Sequence, residues 1–151
     1  MYSKILTVAF CAFGTTAFAD CPDFSPSSET HWFTGYDLGV EAAFDVIAGG
    51  ENNLENCGPG ELGWVATPSD FGFNVEEMDG LTINFSAVSD CDTVLLVNDP
   101  MGEWHYNDDA NVAVMTVDPM LDLIGLDGLY NVWVGTTDGS YCEAKLLVET
   151  Y

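Results

Sequence analysis

Twelve residues, Asn98-Asp-Pro-Met-Gly-Glu-Trp-His-Tyr-Asn-Asp-Asp109, put carboxylates and carboxamides beside three aromatic rings and lie between two apolar runs. Hard oxygen donors without an adjacent nucleophile or base make ligands rather than a reaction. The metal they suit is calcium, which takes six to eight oxygens. Asn98, Asp99, Asn107, Asp108, Asp109 and Asp118 are the candidate ligands, with backbone carbonyls or water completing the shell. Asn107, Asp109 and Asn111 have the alternate-residue spacing of a calcium loop, and Asp118 stands where a twelfth-position ligand would. An EF-hand is excluded, because Val112 occupies the place that requires glycine and both flanks read as strands. The alternative for the same residues is an Asx-rich turn whose side chains bond their own backbone.

Trp104, His105 and Tyr106 form a candidate ligand platform, which Trp32, Phe33 and Tyr36 could extend; burial as core or lid is the competing use of such rings. No catalytic set is expected. The chain has no Gly-x-Ser-x-Gly elbow, and His31 and His105 lack a Ser or Cys partner in any recognisable motif. The different-class alternative is a secreted hydrolase that uses carboxylates of the acidic loop, since paired acids suffice for glycoside hydrolysis.

The elements that hold these residues follow an export signal. Lys4, the apolar run from Ile5 to Phe13, and Ala17-Phe18-Ala19 give residues 1–19 the form of a cleavable signal peptide. The remaining 132 residues suffice for one domain. All 25 acids lie after residue 19 and Lys145 is then the only base, so the formal charge becomes −24. Such a surface repels nucleic acid and anionic lipid. No stretch approaches the 18 to 20 apolar residues of a membrane span, roughly, so membrane insertion is not expected. The product is expected to be secreted or periplasmic, with an envelope or extracellular protein or polysaccharide as partner.

Cys21, Cys57, Cys91 and Cys142 remain after export and read as two disulfides. Residues 20–42, with Pro22, Pro26 and a serine-rich patch, read as an N-terminal arm, and residues 43–151 as the domain. Within it the apolar period is two. Strands are expected at 44–48, 71–77, 81–88, 93–97, 112–117, 130–134 and 144–148. In the third of these Leu81, Ile83, Phe85 and Ala87 face a core while Thr82, Asn84 and Ser86 face water. The runs 93–97 and 112–117 are apolar on both faces and should be covered on two sides. Short links at 78–80, 89–92 and 135–140 suggest antiparallel neighbours, and 118–128 a helical turn or irregular crossover. Together these give an all-β, antiparallel sandwich of seven to eight strands. If every strand reverses, Cys57 pairs with Cys91 and Cys21 with Cys142.

The order Asp90-Cys-Asp-Thr-Val-Leu-Leu-Val-Asn-Asp-Pro-Met-Gly-Glu-Trp104, then Asn107-Asp-Asp109, Asp118-Pro119 and Gly128-Leu-Tyr-Asn-Val-Trp-Val-Gly135 resembles the bacterial pre-peptidase C-terminal domain. The resemblance covers 90–149 well and 44–88 more loosely. It implies a jelly-roll-like β-sandwich that accompanies secreted proteases as a non-catalytic module and that in some relatives binds calcium or an extracellular polymer.

Overall fold

The computed structural model describes residues 21–57, 61–109 and 118–151; the expected signal peptide and the expected strand at 112–117 lie outside these. Eleven strands occur among the described residues: β1 Glu29–Thr34, β2 Ala42–Ala48, β3 Asn52–Asn53, β4 Trp64–Val65, β5 Phe71–Glu76, β6 Thr82–Ser89, β7 Thr93–Asn98, β8 Trp104–Asn107, β9 Met120–Ile124, β10 Gly128–Thr136 and β11 Cys142–Thr150. They form a seven-stranded sheet packed on a four-stranded one. The first runs β8-β7-β10, with β5-β1 beside one half of β10 and β4-β3 beside the other; the second is β2-β11-β6-β9. The chain is thus the expected all-β sandwich.

Period-two patterning places the core between the sheets. Phe71, Phe73 and Val75 of β5, Leu95 and Val97 of β7, and Tyr130, Val132 and Val134 of β10 face Ile83, Phe85 and Ala87 of β6 and Leu146 and Val148 of β11. Phe85 bridges the layers, 6.0 Å from the Phe73 ring and 5.6 Å from the Tyr130 ring. Every residue of β7 is buried, as its two apolar faces require. Its outward Val94 and Leu96 join Trp133, Leu54 and Val65 in a second cluster. That cluster lies on the outer face of the larger sheet, beneath a cap formed by β3, the short 3-10 turn Leu54–Asn56 and β4.

Four expectations are corrected. The short links are not hairpins: 78–80 carries the chain from β5 to β6, 89–92 from β6 to β7 and 135–140 from β10 to β11, each time into the other sheet. Stacked sheets lie only about 10 Å apart, so the three to five residues between these strands span the gap, and alternation tells which face is apolar but not which sheet a strand joins. The arm at 20–42 is not an appendage. Its β1 pairs in parallel with β5, Glu29 opposite Phe71 through Thr34 opposite Glu76, and Leu38 is fully buried. The segment 118–128 contains an edge strand, β9, whose Leu121 and Leu123 pack into the core; Pro119 precedes it, where no ladder amide is needed.

The disulfides are Cys21–Cys57 and Cys91–Cys142, with Cα separations of 5.5 and 6.5 Å. The expected pairing assumed reversal within one sheet. Instead the β6-to-β7 arch brings Cys91 to the start of β11, where Ala144 lies opposite Ser89, while Cys57 belongs to the cap and ties Cys21 over it. Two disulfides suit an oxidising compartment. No helix among the described residues is long and apolar enough to cross a membrane.

Candidate functional site

The acidic segment is the β7–β8 hairpin. Asn98 lies opposite Trp104 and Leu95 opposite Asn107, so Asn98 and Asp99 stand at the tip and Asn107 and Asp108 at the far end of β8. Three residue steps along a strand are about 10 Å. The six candidate ligands therefore do not converge on one ion. Asp118 belongs with the far group, since Met120 N donates to Asn107 Oδ1 at 3.2 Å. Among the described residues no three His, Cys, Asp or Glu side chains stand together as a metal-holding group.

At the tip Asp99 organises the turn. Its Oδ1 accepts from Met101 N at 2.8 Å and Glu103 N at 3.0 Å, and its Oδ2 lies 2.9 Å from His105 Nε2. Its backbone adds two more bonds, Asp99 N to Glu103 O and Gly102 N to Asp99 O, which hold Gly102 at φ +86°. Burial pushes the Asp99 carboxyl up, but the His105, Glu103 and Met101 bonds outweigh it and hold it below the usual carboxylate range. This is the Asx-turn use of the residue. Asp109 is exposed, and Asp118 Oδ1 is buried with no hydrogen-bond partner among the described residues.

The expected aromatic platform divides by strand alternation. Trp104 and Tyr106 share the outer face with Leu96, whereas His105 turns to the other side to meet Asp99. Trp104 is 43% exposed and leans on buried Trp133, ring centroids 5.3 Å apart, and the Phe24 ring lies 5.9 Å from it. Trp133 is itself fixed by an Nε1 bond to Thr67 O at 3.4 Å. Trp32 and Tyr36 do not join this group, because β1 is at the opposite edge of the sheet, four strand spacings or about 19 Å from β8. Phe33 and His31 pack instead with Phe44 and Phe73.

Beside Trp104 opens a cleft of about 360 Å³. The Cys21–Cys57 disulfide, Pro22, Leu54 and Leu96 give it apolar walls, and Glu61 adds a carboxylate. Tyr106 closes the neighbouring side by donating from its hydroxyl to Leu62 O at 2.6 Å. Burial, and then the charges of Asp108, Glu61 and Asp92, push ionisation of that hydroxyl far above its usual range. Of these acids Glu61 belongs to the cleft wall. Leu54, Glu61, Leu96 and Phe24 are absent from the sequence-based candidates. The available signal was the two-faced apolar run 93–97, whose outer Val94 and Leu96 require a cover.

Among the described residues neither histidine has a nucleophile as its polar partner. His105 meets Asp99, and His31 Nε2 lies 3.0 Å from Glu29 Oε1 among the rings of Phe33, Phe44 and Phe73. No family model, curated protein or solved structure matches this chain.

Proposed function

We propose that this protein is an exported, non-catalytic binding module whose cleft beside Trp104 holds an envelope or extracellular partner. The observation that carries the reading is the pose of Trp104, left open to solvent on a buried Trp133 at the mouth of an apolar cleft stapled by Cys21–Cys57. Aromatic anchors at preformed clefts dominate binding energetics, and a rigid support lowers the entropy cost of using them. Two disulfides, together with the reading of residues 1–19 as a signal peptide, favour a secreted or periplasmic location. The sandwich is also the architecture that the likeness to pre-peptidase C-terminal domains implies, and those are non-catalytic companions of secreted enzymes.

Calcium enters this reading as a structural ligand at the far end of β8. There Asn107, Asp108, Asp109 and Asp118 would supply hard oxygens, and the buried, unpartnered Oδ1 of Asp118 favours a cation at that end. The test of the binding function is retention of partners from envelope and culture-medium fractions by the immobilised protein. Trp104→Ala should lose retention while its melting temperature stays near that of the parent. Equal retention by both proteins would remove the cleft from the function.

A further inference from the structure

We infer that the cleft at Trp104 receives an apolar side chain from a cationic peptide segment of a partner protein. This rests on the binding-module reading and names the partner's chemistry. The opening, about 360 Å³, is at the small end of ligand pockets, which suits one or two side chains rather than a broad surface. Its floor of Leu54, Leu96 and Pro22 offers few hydrogen-bonding groups, so the part that enters must be apolar. A saccharide would leave its hydroxyls unpaired there, and Phe24 already flanks one side of the Trp104 ring.

The surround sets the charge of what lies outside the cleft. Glu61 is in the wall and is the only carboxylate among the cleft's described lining residues. No lysine or arginine stands beside it: Lys145, the only one after residue 19, is on β11 in the other sheet and pairs with Asp45. Glu61 and the domain's formal charge of −24 complement an apolar residue flanked by Lys or Arg. They repel an acidic peptide, an anionic polysaccharide and an anionic lipid surface. Charge would speed encounter and make it salt-sensitive, while the anchor sets the dissociation rate.

The test uses capped synthetic peptides read by calorimetry and by Trp fluorescence. The probe is Lys-Leu-Arg-Leu-Lys; the comparisons are Glu-Leu-Glu-Leu-Glu, pentalysine and a neutral glucan oligosaccharide. The expected result is that the first binds best, and that Glu61→Gln and Trp104→Ala each weaken it by about tenfold or more. Glu41→Gln, which removes one charge at the far sheet, should leave it unchanged. Melting curves establish that each variant is folded, and Glu61→Gln alters no buried packing. Equal weakening by Glu41→Gln and Glu61→Gln, or equal binding of pentalysine, would mean attraction to net charge alone and overturns the inference. Preferential binding of the glucan, lost in Trp104→Ala, also overturns it but leaves the binding-module reading standing. Failure of every probe together with unchanged partner retention by Trp104→Ala would overturn both.

Discussion

The Asp70 carboxylate accepts a hydrogen bond from the Val134 amide at 2.8 Å, and this contact fills a break in the larger sheet. Along that edge of β10 the β5 ladder ends at Val132 opposite Phe71, and the β4 contact is Thr136 opposite Trp64. Val134 falls between them without a strand partner there. Asp70 Oδ2 satisfies its amide, and Gly49 N donates to its carbonyl at 3.0 Å. Side chain and loop thus stand in for one missing rung where the cap joins the sheet.

Burial pushes the Asp70 carboxyl up to about 7, and the Val134 bond only partly opposes this. An acid with a raised folded-state pKa binds its proton more tightly folded than unfolded. Stability should therefore fall as pH rises from about 4 to about 7 and level off above that. Full burial would make the loss about 4 kcal/mol, and partial solvent contact reduces it to about 1–3. Asp70→Asn retains a carbonyl oxygen for Val134 without the charge, so its denaturant midpoint should exceed the parent's at pH 8 and vary less between pH 4 and 7. Asp70→Ala should be less stable at pH 4, by about 1–3 kcal/mol, because the amide is left without an acceptor, and this deficit should shrink towards pH 8 as the parent takes on the cost of the buried charge. Identical pH profiles for parent and Asp70→Asn would exclude this carboxyl as the cause.

The β7–β8 turn should respond in the opposite sense. The Asp99 carboxyl is held below its usual range, so its contribution is complete above about pH 4 and is lost as pH falls through the lower folded-state value. Asp99→Ala deprives Met101 N, Glu103 N and His105 of an acceptor and should cost about 1–3 kcal/mol at pH 7. Amide hydrogen exchange should report the loss first at Met101 and Glu103. Unchanged protection at both amides would show that the turn holds without the carboxylate.

Strand identity was readable because period-two patterning depends on local burial alone. Thr82 to Ala87, Thr93 to Val97 and Tyr130 to Val134 are strands in the structure, although Asn84, expected to face water, is buried and donates to Asp122 Oδ1 at 2.7 Å across the β6–β9 pair. Partnership was not readable, since an arch and a hairpin of equal length carry the same turn residues. That one ambiguity reversed the disulfide pairing. Residues 29–34 hid behind proline and serine signals upstream, and their strand depends on a distant partner, β5. The acidic loop showed its residue types but not its geometry. The twelve residues from Asn98 to Asp109 contain groups that hairpin pairing sends to opposite ends of β8, and the cap that builds the cleft comes from sequence more than 30 residues away.

The revised disulfide map is directly checkable. With only two basic residues the chain offers trypsin almost nothing, so digestion after acidic residues without reductant is the suitable cut. Mass spectrometry should find the Cys21 peptide joined to that of Cys57, and Cys91 to Cys142. Loops of 36 and 51 residues correspond to about 4 kcal/mol each in the chain-entropy account. Replacing Cys91 and Cys142 by Ala together should lower the denaturant midpoint without emptying the cleft, which the other bond staples. A fragment linking Cys57 to Cys91 would contradict the cap geometry.

Calcium distinguishes the two ends of β8. If an ion is held by Asn107, Asp108, Asp109 and Asp118, added calcium should raise the melting temperature and chelator should lower it. The stabilisation would grow with concentration, reaching about 2.7 kcal/mol at a hundred times the dissociation constant. Asp108→Asn combined with Asp118→Asn should abolish the response, because it removes two charged donors from one end. Asp99→Asn should leave the response intact, since that carboxylate is at the hairpin tip and already bonded to Met101, Glu103 and His105. A response abolished by Asp99→Asn alone would place the ion at the tip, and melting indifferent to both calcium and chelator would leave these acids a role in surface charge only.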